Sequence, residues 1–336
     1  MVQPENPPTL KLNLDITQAH MARDPKGKGI STDESNSGME TQHRKGNNRE
    51  TYTSSQSREE VGDDESSVHA DCQASARDED TAWSPPVGLN TPKKQKLIQQ
   101  WISKNSLNIV GLLETRIRPA NMEAVETGLG LANWKFISNA HMAPLCRILV
   151  GWNMEKADIS MVHSASQCLT CDALSLGDGS TVRITYVYGL NTPTSRCSLW
   201  NYLEEQKVLN NSIPWIILRD FNAILSTRDR HGGDPHWHVH MDDFPTSIGR
   251  AELIQIPSAG LHFTWHNGQK DEDTILRKLD WAFGNQSLLL KWPLIRATAQ
   301  ARSVSDHSLI IVSLAPPPPY RKARFKFLNT WIDDKA

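Results

Sequence analysis

Single acidic residues stand at the ends of short apolar runs. Glu114 closes Asn108-Ile109-Val110-Gly111-Leu112-Leu113, Asp220 closes Trp215-Ile216-Ile217-Leu218-Arg219, and Asp306 lies in Val304-Ser305-Asp306-His307-Ser308 just before Leu309–Leu314. A charge closing a buried strand is costly unless it is paired, bound to a metal or placed at a sheet rim. Further strand candidates are 147–152, 157–164, 168–176, 181–189, 262–267, 277–283 and 294–301. Helices fit best in KKQKLIQQWISKN, where Leu97, Ile98, Trp101 and Ile102 recur at helical spacing, at 195–210 and around 241–254. Many strands with few helices between them predict an α+β protein, two large sheets packed face to face and flanked by helices, rather than a parallel doubly wound sheet.

This pattern does not extend to the start of the chain. Residues 1–80 carry 16 acidic against 9 basic residues and hardly any apolar runs, leaving 27 basic and 22 acidic residues for 81–336. Such a composition cannot bury enough apolar surface to offset chain entropy, so 1–85 is expected to be a disordered acidic and polar tail. The folded part, 86–316, is mildly basic, which suits a polyanionic partner without demanding one. Pro316 to Pro319 begin a stiff linker over 317–336 that ends in a basic, aromatic segment. No secretory signal and no membrane-length apolar run is visible, so an intracellular protein is expected.

The five cysteines are odd in number and scattered, which argues against a disulfide framework. Cys168 and Cys171 have zinc-ligand spacing, but no second pair follows, and a strand in the core is the better reading. The alternating His236, His238 and His240 read as a surface loop, because Gly232, Gly233 and Pro235 precede them.

Asp220-Phe221-Asn222 places an amide two residues from an acid, on the same side of an extended backbone. Asp306-His307 joins an acid to an imidazole that can change charge near neutral pH. With Glu114 and Asp280, these groups could supply hard oxygen ligands, a base for water and donors for phosphate oxygens.

The ordered set Leu113-Glu114-Thr115-Arg116, Val187-Tyr188-Gly189, Asp220-Phe221-Asn222, Phe263-Thr264-Trp265, Lys278-Leu279-Asp280 and Ser305-Asp306-His307-Ser308 resembles the motif series of the endonuclease/exonuclease/phosphatase superfamily. Gly88-Leu89-Asn90, Ser195 to Trp200, Arg230 to Gly233, Met241 to Phe244 and Phe325 to Trp331 point within it to the endonucleases of plant non-LTR (LINE-type) retrotransposons. The resemblance implies a deoxyribonuclease-I-like four-layer sandwich of two mixed sheets, DNA as partner, Mg²⁺ (or Mn²⁺) as cofactor and a nuclear location. It implies Glu114 and Asp306 at the metal, Asp220 on the attacking water, and Asn222 positioning water and phosphate. His307 would bond the scissile phosphate, its ring oriented by Asp280. Tyr188 would touch a phosphate oxygen, with Trp265 and Arg116 on the substrate. In that family the last segment leads into a reverse transcriptase, which is absent from this chain.

Three positions depart from the pattern. The family opens on Trp-Asn-x-Arg-Gly-Leu-Asn, where this chain has Trp83-Ser84-Pro85-Pro86-Val87-Gly88-Leu89-Asn90, so the opening strand is expected to be missing. Arg219 replaces a glycine, either contacting phosphate or, as we favour, crowding a close backbone approach. Trp281 stands where a basic or phenolic residue is usual. Two functional readings therefore stay open: a metal-dependent DNA-nicking phosphodiesterase, and a catalytically inactive retrotransposon-derived fragment that at most binds nucleic acid. Phosphatases acting on lipid or inositol phosphates share the fold, but the flanking motifs argue against that role.

Overall fold

A computed structural model describes residues 10–14, 88–302 and 305–314; the rest of the expected tail and the whole expected linker lie outside the described residues. Two sheets carry the molecule. The first holds seven strands in the order β11-β15-β16-β1-β2-β4-β3: β1 (Leu10–Leu14), β2 (Ile109–Ile117), β3 (Trp134–Ser138), β4 (Cys146–Asn153), β11 (Ser258–Gly260), β15 (Arg296–Ala299) and β16 (Ile310–Leu314). The second holds six in the order β10-β14-β8-β7-β6-β5: β5 (Ala157–Ser164), β6 (Cys168–Ser175), β7 (Thr181–Tyr188), β8 (Trp215–Asp220), β10 (Ile254–Gln255) and β14 (Asp280–Gly284). A small third sheet joins β9 (Arg230–His231), β12 (Trp265–His266) and β13 (Leu276–Arg277). Five helices accompany them: α1 (Pro92–Asn105), α2 (Met122–Leu129), α3 (Cys197–Leu209), α4 (Asp243–Arg250) and α5 (Gln286–Lys291).

Successive side chains of a strand point to opposite faces, and in β2 and β8 both faces are covered. Ile216 and Leu218 of β8 face Ile109, Leu113, Ile148 and Val312 of the other sheet in one core. Trp215 and Ile217, one residue out of phase, pack with Leu199, Trp200 and Phe244 of α3 and α4. Val110 and Leu112 of β2 likewise pack under Ile98 and Ile102 of α1 and Val125 of α2. Double burial is why these strands read as unbroken apolar runs, and it makes the architecture the expected four-layer sandwich, helices on sheet on sheet on helices.

The position between β2 and β16 is filled from far upstream. Leu10–Leu14 runs parallel to β2, with Leu12 opposite Ile109, and antiparallel to β16, with Leu12 opposite Val312. The Trp83–Val87 stretch lies outside the described residues; from Gly88 the chain enters under β2, where Leu89 N–H donates to the Thr115 carbonyl at 2.8 Å. A Cβ on Gly88 would meet that carbonyl oxygen at 1.9 Å, so this approach demands glycine. The polar average over 1–80 conceals one pentapeptide, LKLNL, with the alternating pattern of a strand. Leu12→Pro should therefore lower stability by about 2–4 kcal/mol, a lost ladder bond plus backbone distortion. Urea unfolding of the full chain measures it; an unchanged midpoint would mean the sheet does not depend on this strand.

Several elements depart from the reading of the sequence. The expected strand 277–283 breaks at Lys278 into β13 and β14, and only Trp265–His266 of 262–267 is strand. β3 and α2 were not expected, although Met122, Val125 and Leu129 recur at helical spacing in α2. Cys168 and Cys171 both lie in β6, but Cys171 faces the inter-sheet core and Cys168 the layer of α3 and α4. They point to opposite sides and cannot share one zinc ion. Burial pushes the Cys168 thiol up to about 12 and Cys171 higher still.

Candidate active site

Strand register assembles the site. β7 and β8 are parallel and β8 and β14 antiparallel, so Tyr188 lies opposite Asp220 and Asp220 opposite Asp280 at one edge of the second sheet. The segment entering β16 brings His307 to the same edge. The backbone pins that segment: Ser308 N–H donates to the Thr264 carbonyl at 2.6 Å, and His266 N–H to the Asp306 carbonyl at 3.1 Å. The Thr264 hydroxyl accepts from the Leu279 and Asp280 amides, tying the start of β14 to the same turn.

Asp220, Asp280 and His307 are 1%, 2% and 5% exposed. His307 Nδ1 is 2.7 Å from Asp280 Oδ2, and its Nε2 is 3.9 Å from Asp220 Oδ2. Two buried carboxylates facing each other across adjacent strands cannot both ionise cheaply. Burial, assisted by the neighbouring Asp280 charge, pushes Asp220 up to about 7 even though His307 pulls the other way. Burial would push Asp280 up as well, but the His307 and Arg219 charges and hydrogen bonds from His307 and Thr264 overcome it and hold Asp280 low. The register partners are thus driven apart, one toward a proton-accepting group near neutrality and one toward a permanent anion.

Asn222 follows Asp220 at φ 47°, a left-handed conformation that asparagine tolerates. Its backbone N–H donates to Asp220 Oδ1 at 2.9 Å and its side-chain amide to the Gly189 carbonyl at 2.6 Å. Glu114, also at φ 47°, sits in the irregular end of β2, where the register with β4 shifts between Leu113 and Ile117. Tyr188 donates its phenolic hydrogen to Glu114 Oε1 at 2.5 Å. Burial and the Glu114 charge raise the Tyr188 pKa well above that of an ordinary phenol. The indole of Trp265 donates to Asp306 Oδ2 at 3.0 Å, so this ring holds a carboxylate. Asp306 Oδ1 is buried without a hydrogen-bond partner among the described residues. Arg116 is half-buried at the end of β2, and its carbonyl accepts from the Asn90 amide. The structure therefore gathers Tyr188, Asp220, Asn222, Asp280 and His307 around one strand edge, with Glu114 joined to them through Tyr188 and Asp306 through the His307 segment.

Two cations were not anticipated in these places. Arg219 is fully buried, its Nη1 lying 3.3 Å from Asp280 Oδ1 and donating to the Ser308 carbonyl at 3.2 Å. It reaches that position at φ 105°, where side chains are strained. Arg219→Gly would relieve roughly 1 kcal/mol of strain, but removing one partner of a buried ion pair costs about 3–5 kcal/mol. A net loss of about 2–4 kcal/mol is expected in urea unfolding, and a gain would show that strain dominates. Lys94 of α1 is the other. It is buried, burial lowers its pKa, and the charges of Asp306 and Glu114 act on it. Lys94, Ile98 and Ile102 recur at four-residue spacing, so a lysine on the apolar stripe was the available signal.

Other candidates lie apart. Trp281 is buried, with Lys278 Nζ 4.2 Å above its ring and its indole bonded to the Ala223 carbonyl. Asp234 accepts from His236 Nδ1 and His238 Nε2 at 2.8 and 2.7 Å in an exposed loop, as the glycines and proline there suggest. Among the described residues the one group of three potential ligands is Asp220, Asp280 and His307, whose ligand atoms lie within 4.8 Å of one another and could hold a metal.

Two stacked mixed sheets with helices outside them thus bring acids and a histidine to one edge of the second sheet. Among solved structures, this chain is similar to the AP endonuclease of Leishmania major, at 13% identity and a TM-score of 0.54 over 69% of this chain and 86% of that one. It is also similar to the endonuclease domain of TRAS1, a telomere-specific non-LTR retrotransposon, at 11% identity and a TM-score of 0.49 over 66% and 94%. A mannosyl-6-phosphatase of Bacteroides thetaiotaomicron aligns at 14% identity and a TM-score of 0.46 over 66% and 90%. No family model and no curated protein matches the sequence.

Proposed function

We propose that this protein is a divalent-metal-dependent phosphodiesterase that nicks DNA, derived from a non-LTR retrotransposon. The observation that carries the reading is the buried Asp220–His307–Asp280 set, in which one imidazole joins two carboxylates driven to opposite protonation preferences. Asp220 accepts the proton of the attacking water, and Asn222, locked to Gly189, positions that water beside the phosphate. His307, its ring fixed by Asp280, donates to a phosphate oxygen as charge develops. Tyr188 supplies a further donor at the same edge. Trp265 and Arg116 line the approach of the substrate strand.

The residues present fit a hard divalent ion. Glu114 offers carboxylate oxygen beside Tyr188, and among the described residues the buried Oδ1 of Asp306 has no hydrogen bond to compete with a ligand bond. Glu114 and Asp306 are the oxygens that would hold Mg²⁺ or Mn²⁺, which when bound neutralises phosphate charge. The inactive reading has its own observation, the strained Arg219 with its Nη1 3.3 Å from Asp280 Oδ1.

A supercoiled-plasmid assay separates the two. The native chain with Mg²⁺ should nick far faster than Asp220→Ala or His307→Ala, and EDTA should abolish the difference. Native nicking no faster than both variants would sink the enzyme and leave the inactive fragment. Among the described residues no helix is long and apolar enough to cross a membrane.

A further inference from the structure

Beside the catalytic loop, on the side of α3 and α4, lies a cleft of about 190 Å³ that no step above uses. Asn222 forms its border with the catalytic set, Ile224, Met241 and Leu279 give it apolar walls, and Arg196 and Arg277 also line it. Both cations are held by neutral oxygens. Arg196 Nη1 donates to the Leu190 and Asn191 carbonyls at 2.8 and 2.9 Å. Arg277 Nη1 donates to the carbonyls of His231, Gly232 and Leu276. Neither makes an ion pair among the described residues. Arg196 is only 7% exposed, and its buried Nε has no hydrogen-bond partner there. The one acid in the lining, Asp243, is exposed and bonds neither of them.

Enclosing a guanidinium without a carboxylate is costly, and carbonyl oxygens only partly compensate. Burial lowers the Arg196 pKa, and the Asp220, Asp243 and Cys197 charges offset only part of that. A cation fixed by carbonyls and lacking a counter-charge is preorganised for an anion from outside. The guanidinium fork suits phosphate, and the apolar walls suit the sugar or base that accompanies it in a polynucleotide.

We propose that this cleft binds a backbone phosphate of the substrate strand other than the scissile one, with Arg196 and Arg277 as its ligands. The inference rests on the nucleic-acid reading of the neighbouring site, and it would fix which stretch of strand lies across Asn222.

Binding of a short DNA duplex by the full chain in EDTA, where no cleavage occurs, tests it across roughly 50–200 mM salt. Arg196→Gln and Arg277→Gln should each weaken binding about tenfold and reduce the slope of log affinity against log salt by about 0.9, the signature of one lost phosphate contact. Arg196→Lys, which keeps the charge, should keep the slope. A role confined to holding the Leu190–Asn191 loop would make Lys and Gln equally harmful to stability and leave every slope unchanged, overturning the proposal. Inorganic phosphate binding that the variants abolish, with unchanged DNA slopes, would mark a free-anion site and overturn it too. A chain that nicks with unchanged slopes loses only this subsite; one that never nicks, yet shows both slope changes, loses the enzyme and keeps the subsite.

Discussion

His307→Ala is expected to slow plasmid nicking about 10²–10³-fold, the usual cost of one preorganised donor to a developing oxyanion. In the proposed mechanism the donor is Nε2, aimed because Nδ1 is held 2.7 Å from Asp280 Oδ2. Asp280→Asn preserves shape but removes the anion that selects the tautomer and supports the imidazolium, so it should cost a comparable factor. Residues that act as one unit are not additive. The double variant Asp280→Asn/His307→Ala should therefore be no slower than the worse single variant. Independent multiplication of the two losses in single-turnover nicking would show that Asp280 acts other than through His307, Arg219 being the obvious alternative route.

How much of this was legible beforehand depended on whether a feature was local. The strand ends were legible because β2 and β8 are buried on both faces and so read as unbroken apolar runs closed by one acid. The order of the motifs then brought Tyr188, Asp220, Asp280 and His307 together before any coordinates. What could not be read was register and long-range pairing. Nothing near Trp83-Ser84-Pro85-Pro86 indicates that Leu10–Leu14 occupies the slot between β2 and β16, because a five-residue alternation is weak evidence inside a polar segment. Arg219 is similar. The strand predicts its burial, but only the cross-strand pairing of β8 with β14 sets a guanidinium against Asp280. Lys94 shows the opposite failure, since its position on the Ile98 and Ile102 stripe was visible and a lysine is too readily read as solvated.

Two isosteric changes on neighbouring carboxylates should move stability in opposite directions, and the Asp220 change should also remove activity. Asp220 has its folded pKa raised from 3.8 to about 7, chiefly by burial. Below pH 4 it is protonated in both states and carries no penalty. As pH rises toward 7 the unfolded chain ionises first, so stability falls across that window and stays reduced above it. At about 1.4 kcal/mol per pKa unit the full penalty approaches roughly 4 kcal/mol, and sharing with His307 and Asp280 makes about 2–4 kcal/mol the reasonable expectation. Asp220→Asn removes that penalty, keeps an oxygen for the Asn222 amide and ends the repulsion with Asp280. In EDTA its urea midpoint should exceed that of the native chain at pH 8 and match it near pH 4, while nicking with Mg²⁺ falls about 10²–10⁴-fold through loss of the base. Asp280 has the opposite sign. Its folded pKa is lowered, so its stabilisation is present above the ordinary carboxylate pKa and lost as pH falls through the folded value. Asp280→Asn should accordingly destabilise at pH 8. A native-like or lower midpoint for Asp220→Asn at pH 8 would show that the two acids share their charge evenly and would remove the physical basis for assigning the base to Asp220.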